Sequence, residues 1–184
     1  MELDTKEKLS SKTIVLHWIV GVMMIILLAV GVYMTETENH ALYPIHKSFG
    51  VLILIFVVPR VFWRMKNGWP EPVSQYSMIE ITLSKLIHWV LIIGTVLMPV
   101  SGMMMSGYGG HGIAIFGLEL VPMNFDPTNP KEVIPINGAL AGLGHQMHGL
   151  IGNILIGAIV LHFAGALKHH LIDKDGTMRR MLGK

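Results

Sequence analysis

Three long runs without a formal charge, and a fourth shorter one, decide most of what this chain of 184 residues can fold into. Residues 14–34, 86–108 and 137–167 contain no Lys, Arg, Asp or Glu. A bilayer core about 30 Å thick is crossed by roughly 20 helical residues, so each run is long enough to span. The fourth is less clean. Residues 46–65 include Lys47, Arg60 and Arg64, leaving an uncharged centre over 48–59. Long basic side chains at helix ends reach back to the headgroups, so this stretch is read as a span too. Pro59 is expected to bend or loosen it near its end, where one lost hydrogen bond is tolerated best.

Composition agrees with lipid as the solvent. Hydrophobic residues make up 52% of the chain and charged residues 14%, against roughly 25% charged in soluble domains. The expectation is an all-α integral membrane protein, a four-helix bundle in one domain over 1–184, with spans near 14–34, 46–65, 84–107 and 138–167. The first run exceeds the roughly 7–15 residue core of a signal peptide, and Met34-Thr-Glu-Thr-Glu follows it, so an uncleaved helix is expected.

Basic residues set the orientation. Lys6, Lys8, Lys12, Arg60, Arg64, Lys66, Lys85, Lys168, Lys174, Arg179, Arg180 and Lys184 fall on one side of the spans, and only Lys47 and Lys131 on the other. The positive-inside rule then places both termini in the cytoplasm, and a bacterial inner membrane is the expected location. A formal charge of +2 gives no sign of a nucleic-acid partner. Residues 35–45 form a short acidic outer connection, while residues 109–136, with Pro122, Pro127, Pro130 and Pro135, are expected to fold back over the outer mouth of the bundle.

The absence of cysteine excludes disulfides, thiolate-held iron–sulfur clusters, covalently attached haem and cysteine nucleophiles. Histidines are the remaining strong ligands, and ionisable groups inside a membrane mark function by default. His148 and His162 stand fourteen residues apart on the last span, which is about 21 Å of helical rise and about 40° of azimuth. One helix therefore presents an imidazole near each membrane surface. His17 lies one turn into the first span, at the inner level, and His46 opens the second span at the outer level. Pairing His17 with His162 and His46 with His148 gives two sites, each able to grip a haem from both sides. His88 shares the inner depth and competes there, as a ligand or a proton-handling group. His145 is a second choice at the outer site, and His40 and His111 fall in outer loops. Lys47, beside His46, is a candidate attractor for an anionic substrate. The run Met103-Met-Met cannot form one soft-metal site, because neighbouring helical residues point in different directions; methionine here is flexible packing.

The ordered set of motifs resembles the bacterial cytochrome b561 family of small di-haem membrane cytochromes. It comprises His17-Trp18, His46-Lys-Ser-Phe-Gly50, Arg60-Val-Phe-Trp-Arg64, His88, Met98-Pro-Val-Ser-Gly102, Phe116-Gly117 and Val121-Pro122. His148, His162, Ala166-Leu-Lys-His-His170 and Asp173-Lys-Asp-Gly-Thr-Met-Arg-Arg-Met181 complete it. The resemblance covers nearly the whole chain. It implies two haem b groups with His17, His46, His148 and His162 as axial ligands. It also implies that Arg60 and Arg64 lie near the inner haem propionates and that His169 borders a quinone site. Members of that family are similar to superoxide oxidase, so the implied activity is transfer of electrons from superoxide to ubiquinone. The alternative is a membrane-anchoring b-type subunit that passes electrons between a partner dehydrogenase or hydrogenase and quinone. Monomer and dimer are equally open.

Overall fold

The computed structural model describes residues 3–184. Its long helices begin and end where local chemistry dictates. Helix α1 (Ser11–Thr37) starts at Ser10, whose hydroxyl accepts from the Thr13 amide, and stops at Glu38, which turns left-handed and returns its N–H to the Met34 carbonyl. A short 3-10 turn (His40–Leu42) leads into α2 (Tyr43–Leu52), with Pro44 in its first turn. Helix α3 (Leu54–Asn67) continues the second crossing. Helix α4 (Met78–Tyr108) opens with a reciprocal capping box between Ser77 and Glu80. Helix α5 (Gly138–Leu171) is capped by the Asn137 side chain, and α6 (Thr177–Met181) closes the chain.

Four helical crossings, Ser11–Thr37, His40–Asn67, Met78–Tyr108 and Gly138–Leu171, are long and apolar enough to span a membrane. Each runs past the uncharged stretch that the sequence marks. The second crossing is interrupted at Ile53, not near Pro59; α3 passes through Pro59 intact. A proline ring crowds the turn that precedes it, and Phe56 donates to Ile53 in a tight i to i+3 bond just there (3.0 Å).

The packing is that of a membrane bundle. Val22, Ile26, Ile55, Ile93, Val160 and Phe163 all face outward, an arrangement that water would penalise and lipid accepts. The small core comprises Val20, Met24, Leu28, Ile53, Val57 and Leu155. Helices α4 and α5 make the most extensive contact, brought together by glycines. A Cβ on Gly144 would lie 2.6 Å from the Met105 amide nitrogen, and one on Gly94 would lie 2.6 Å from Leu155 Cδ2. Small residues at such crossings let membrane helices approach without a hydrophobic driving force.

Both chain ends lie at one end of the bundle. Arg180, 9% exposed, ties them together by donating to the Lys6 carbonyl (2.6 Å) and the Glu71 carbonyl (3.2 Å). Asp4 accepts from the Ser10 amide (2.8 Å) and the Thr13 hydroxyl (2.8 Å), and Trp18 Nε1 donates to the Met181 carbonyl (3.0 Å). At the opposite end, residues 109–136 form an antiparallel hairpin, β1 (Ile113–Ile115) and β2 (Leu118–Val121). Its two central residues, Phe116 and Gly117, have φ of 48° and 90°, the positive values a tight two-residue turn requires. The Phe116 amide donates to Ser48 Oγ (2.9 Å) and its ring meets Phe49 edge-on (5.2 Å). The hairpin is thus pinned to α2 within three residues of His46.

Candidate functional site

Each end of α5 presents a histidine to a neighbour. At the hairpin end, His148 faces His46, with ring centroids 6.3 Å apart. At the end bearing the termini, His162 faces His17 at 6.0 Å. An imidazole nitrogen sits about 2 Å from a first-row metal ion, so two rings gripping one ion from opposite sides have centroids about 6 Å apart. Both pairs meet that separation. Leu155, fully buried, stands seven residues from both His148 and His162 and lies in the core between the two levels.

The pair at the hairpin end is prepared in further ways. His148 Nδ1 meets the Met98 carbonyl (3.0 Å) and Ser101 Oγ (3.2 Å); donation to the carbonyl places the proton on Nδ1 and leaves the Nε2 lone pair free. The carbonyl is where α4 carries Pro99, and the ring lies over Gly102, where a Cβ would come within 3.1 Å of His148 Cε1. His46 Nδ1 is buried without a hydrogen-bond partner among the described residues. A narrow cleft of about 30 Å³ lies beside the rings, lined by Met24, Leu28, His46, Ile53, Met98 and His148. Gly50 borders it as well, and a Cβ there would meet nothing within 4 Å. An apolar slot, two facing imidazoles and an open glycine fit a flat iron macrocycle.

The pair at the terminal end has a third member. His88 lies with its ring 5.1 Å from His162, perpendicular to it, and its Nδ1 hydrogen-bonds the Ser84 carbonyl (2.6 Å). Trp69, from the connection between α3 and α4, packs edge-on against His88 (5.8 Å) and Trp89 (5.4 Å). The sequence placed His88 at this depth; only the packing brings it against His162. Arg60 lies close enough to act electrostatically on both His17 and His162. Arg64 is occupied elsewhere, with the Gly68 carbonyl (2.6 Å) and Asp4 (3.8 Å). Its position still allows it to act on His17 and His88. His145 and His111 are exposed and join neither pair. Lys47 reaches the outer loop, donating to the His111 carbonyl at 3.2 Å.

His169 sits seven residues beyond His162, on nearly the same face of α5 and about 10 Å further along it. It heads a polar network that sequence reasoning missed. Its Nδ1 meets Asp173 Oδ2 (2.9 Å) and Asp175 Oδ2 (3.1 Å). Tyr76 donates its hydroxyl to Asp175 Oδ2 (2.6 Å) and packs against the His169 ring (4.8 Å). Burial alone would raise the Asp175 pKa, but the hydrogen bonds from Tyr76 and Thr177 outweigh it and hold the carboxyl below its ordinary value. Burial and the same bond push the Tyr76 hydroxyl up. At neutral pH, then, Asp175 is a carboxylate and Tyr76 a donor. The acidic pair was visible in the sequence as part of a motif, but nothing local says that residue 76, a hundred positions earlier, closes the ring.

Four lipid-facing helices enclosing two imidazole pairs at two depths describe a class: helical membrane cytochromes that carry b-type haem. A profile of prokaryotic cytochrome b561 matches residues 8–184. The chain belongs to that family of membrane electron-transfer proteins. It is 29% identical to cytochrome b561 homolog 2 of Escherichia coli (strain K12), over 98% of this chain and 94% of the relative. It is 27% identical to a protein of Yersinia pestis named probable superoxide oxidase CybB, over 97% of each. To cytochrome b561 homolog 1 of Escherichia coli (strain K12) it is 25% identical, over 95% and 97%.

Proposed function

We propose that this chain carries electrons across a bacterial inner membrane from superoxide at the outer face to ubiquinone near the inner face. The path runs by way of two b-type haems, one held by His46 and His148, the other by His17 and His162. The observation that carries the reading is the pair of facing imidazoles at each end of α5, at separations of 6.3 and 6.0 Å. Bound haem supplies a one-electron couple, and ligation from both sides closes its iron to other ligands and favours electron transfer. The asymmetry of basic residues supports placing both termini in the cytoplasm. The name of the Yersinia pestis relative supports superoxide as donor. Two superoxide ions give two dioxygen molecules and two electrons; one quinone takes those electrons and two protons to become quinol.

The residues of the chain have separate tasks in this scheme. Ser101 and the Met98 carbonyl orient His148; Gly102 leaves it room. Arg60, which acts electrostatically on both His17 and His162, would be placed to pair with the carboxylates of a haem held there. The hairpin is bonded to Ser48, two residues from His46. Lys47 places a positive charge beside His46 where an anion would arrive.

Purified protein supplied with superoxide should reduce ubiquinone without any other polypeptide. A preparation that does so only with a co-purifying dehydrogenase or hydrogenase would replace this reading with the membrane-anchoring subunit. One feature favours that second reading: Phe116, Leu118, Leu120, Met123 and Phe125 stand exposed together on the outer loop, an apolar surface a partner could cover. Replacing Lys47 with Glu is expected to slow superoxide-driven haem reduction about tenfold at low salt, because steering by local charge has that reach. The difference should shrink as salt screens the surface. An unchanged rate in stopped-flow measurements would remove Lys47 from the proposal.

A further inference from the structure

Hydroxyl side chains inside the crossings bond back to their own helix. Ser48 donates to the Pro44 carbonyl (2.7 Å), Thr95 to the Ile92 carbonyl (2.9 Å) and Ser101 to the Met98 carbonyl (2.9 Å), and all three residues are buried. Asn153 differs on both counts. It is exposed, and among the described residues its side-chain amide meets no hydrogen-bond partner, not even the carbonyl one turn back. It stands fifteen residues from the start of α5 and eighteen from its end, about 22 Å and 27 Å of rise. Only long side chains reach the headgroups from such a depth, and asparagine is short. It also points away from the histidine pairs, by about 140° from His148 and about 180° from His162. An amide left to hydrocarbon forfeits the hydrogen bonds that water would give it.

The face around Asn153 has a repeat of its own. Gln146, Gly149, Asn153, Ile156 and Val160 follow one another at steps of three, four, three and four, and all five are exposed. That is the seven-residue seam along which two helices wind left-handed. Gln146, whose amide also lacks a partner among the described residues, falls on the same line as Asn153, seven residues earlier. A Cβ on Gly149 would meet nothing within 4 Å, so no other part of this chain lies over the seam there. Asparagine on such a line fixes register and strand number, because each amide is satisfied only opposite another.

We propose that this face of α5 pairs with the same face of a second copy, Asn153 against Asn153, about a two-fold axis along the membrane normal. Such an axis brings every residue of the seam to its own counterpart at the same depth. The amide suits that operation: its oxygen accepts and its nitrogen donates, so one pair closes two reciprocal hydrogen bonds. Acyl chains offer neither group. In the pair, the histidines of each α5 lie on the side turned away from the contact.

The chain contains no cysteine, so a single introduced one reports on a single position. The haem-bearing full chain is reconstituted in phosphatidylcholine liposomes over a series of protein-to-lipid ratios and oxidised with copper phenanthroline. Gly149→Cys and Val160→Cys, on the seam, should cross-link to a species of twice the mass. Ile154→Cys, next to Asn153 and exposed but about 100° round the helix, should not. Adding Asn153→Leu to Gly149→Cys should raise the protein-to-lipid ratio for half cross-linking about tenfold, the size of one or two hydrogen bonds within a membrane. Asn153→Gln, which keeps the amide, should stay within about threefold. Haem spectra matching wild type establish that each variant is folded. Equal cross-linking at positions 149, 154 and 160 would mean random collision and overturn the pairing. Seam cross-links that Asn153→Leu leaves unchanged would overturn it as well, as would a chain that stays monomeric at every ratio. Native membranes in which the seam cysteines join a polypeptide of another mass, and give no dimer, would assign the face to a different protein and equally overturn it.

Discussion

Replacing His148 with Ala is expected to lower the haem content from about two b-type groups per chain to about one. The ring is not simply near its partner: it is fixed by the Met98 carbonyl and Ser101 on one side and by the floor at Gly102 on the other. Its loss leaves His46 without a facing imidazole, and with a buried Nδ1 that has no hydrogen-bond partner among the described residues. Disturbing merely the outer-shell partners of a metal ligand costs about 10–100-fold in affinity, and removing the ligand should cost more. The measurement is haem per polypeptide with oxidised and dithionite-reduced spectra, in wild type, His46→Ala and His148→Ala. The inner site offers a built-in contrast. His162→Ala removes the ring that both His17 and His88 approach, at 6.0 and 5.1 Å. His17→Ala leaves His88 and His162 in place, so residual low-spin inner haem there, and none in His162→Ala, would identify His88 as a substitute ligand. Two haems retained in His148→Ala would remove His148 from the ligand set, and a protein that binds no haem in any form would remove the electron-transfer reading.

The parts of this architecture that could be read from the sequence share a property: each depends on a periodicity or an average along one helix. Hydropathy over about 20 residues marks the crossings whatever their neighbours do. The fourteen-residue step from His148 to His162 places both on one face of α5 by helical geometry alone. The parts that stayed hidden depend on what meets what. Pro59 announced a disturbance, but the interruption at Ile53 reflects how the preceding turn rearranges. Strands β1 and β2 are only three and four residues long, too short for a period of two to stand out. Their turn also places Phe116 at positive φ, where Asn or Asp would have signalled a hairpin. Arg180 and Lys184 looked alike as members of a basic tail. One is buried against the carbonyls of Lys6 and Glu71, and the other is exposed. Asp4 and Tyr76 likewise acquire their roles from partners nine to a hundred residues away. The two histidine pairs were legible because His148 and His162 lie on one helix; the hydrogen-bonded cluster at His169 was not, because it joins three separate segments.

Gly144→Ala is expected to destabilise the outer half of the bundle and to weaken haem binding there while sparing the inner site. The added methyl would fall 2.6 Å from Met105 N, 3.0 Å from Met105 Cα and 3.1 Å from Met104 C. All three are backbone atoms of α4, so no rotamer change can relieve the contact, and the helices have to separate. Gly144 is one turn before His148. Any opening of that crossing also draws His148 away from Ser101 and the Met98 carbonyl, which belong to the same stretch of α4. Overpacking of this kind costs about 1–3 kcal/mol, enough to lower the thermal midpoint by several degrees in a chain of this size. Gly157→Ala supplies the control on the same helix: a methyl there meets nothing within 4 Å, and alanine is the better helix former by about 1 kcal/mol. Thermal scans in detergent, followed by the haem absorbance of each site, should therefore separate the two variants. The first should lose its outer haem at a lower temperature than wild type, and the second should match or exceed wild type. Equal behaviour of the two would mean that His148 is held by its hydrogen bonds rather than by the glycine contact one turn away.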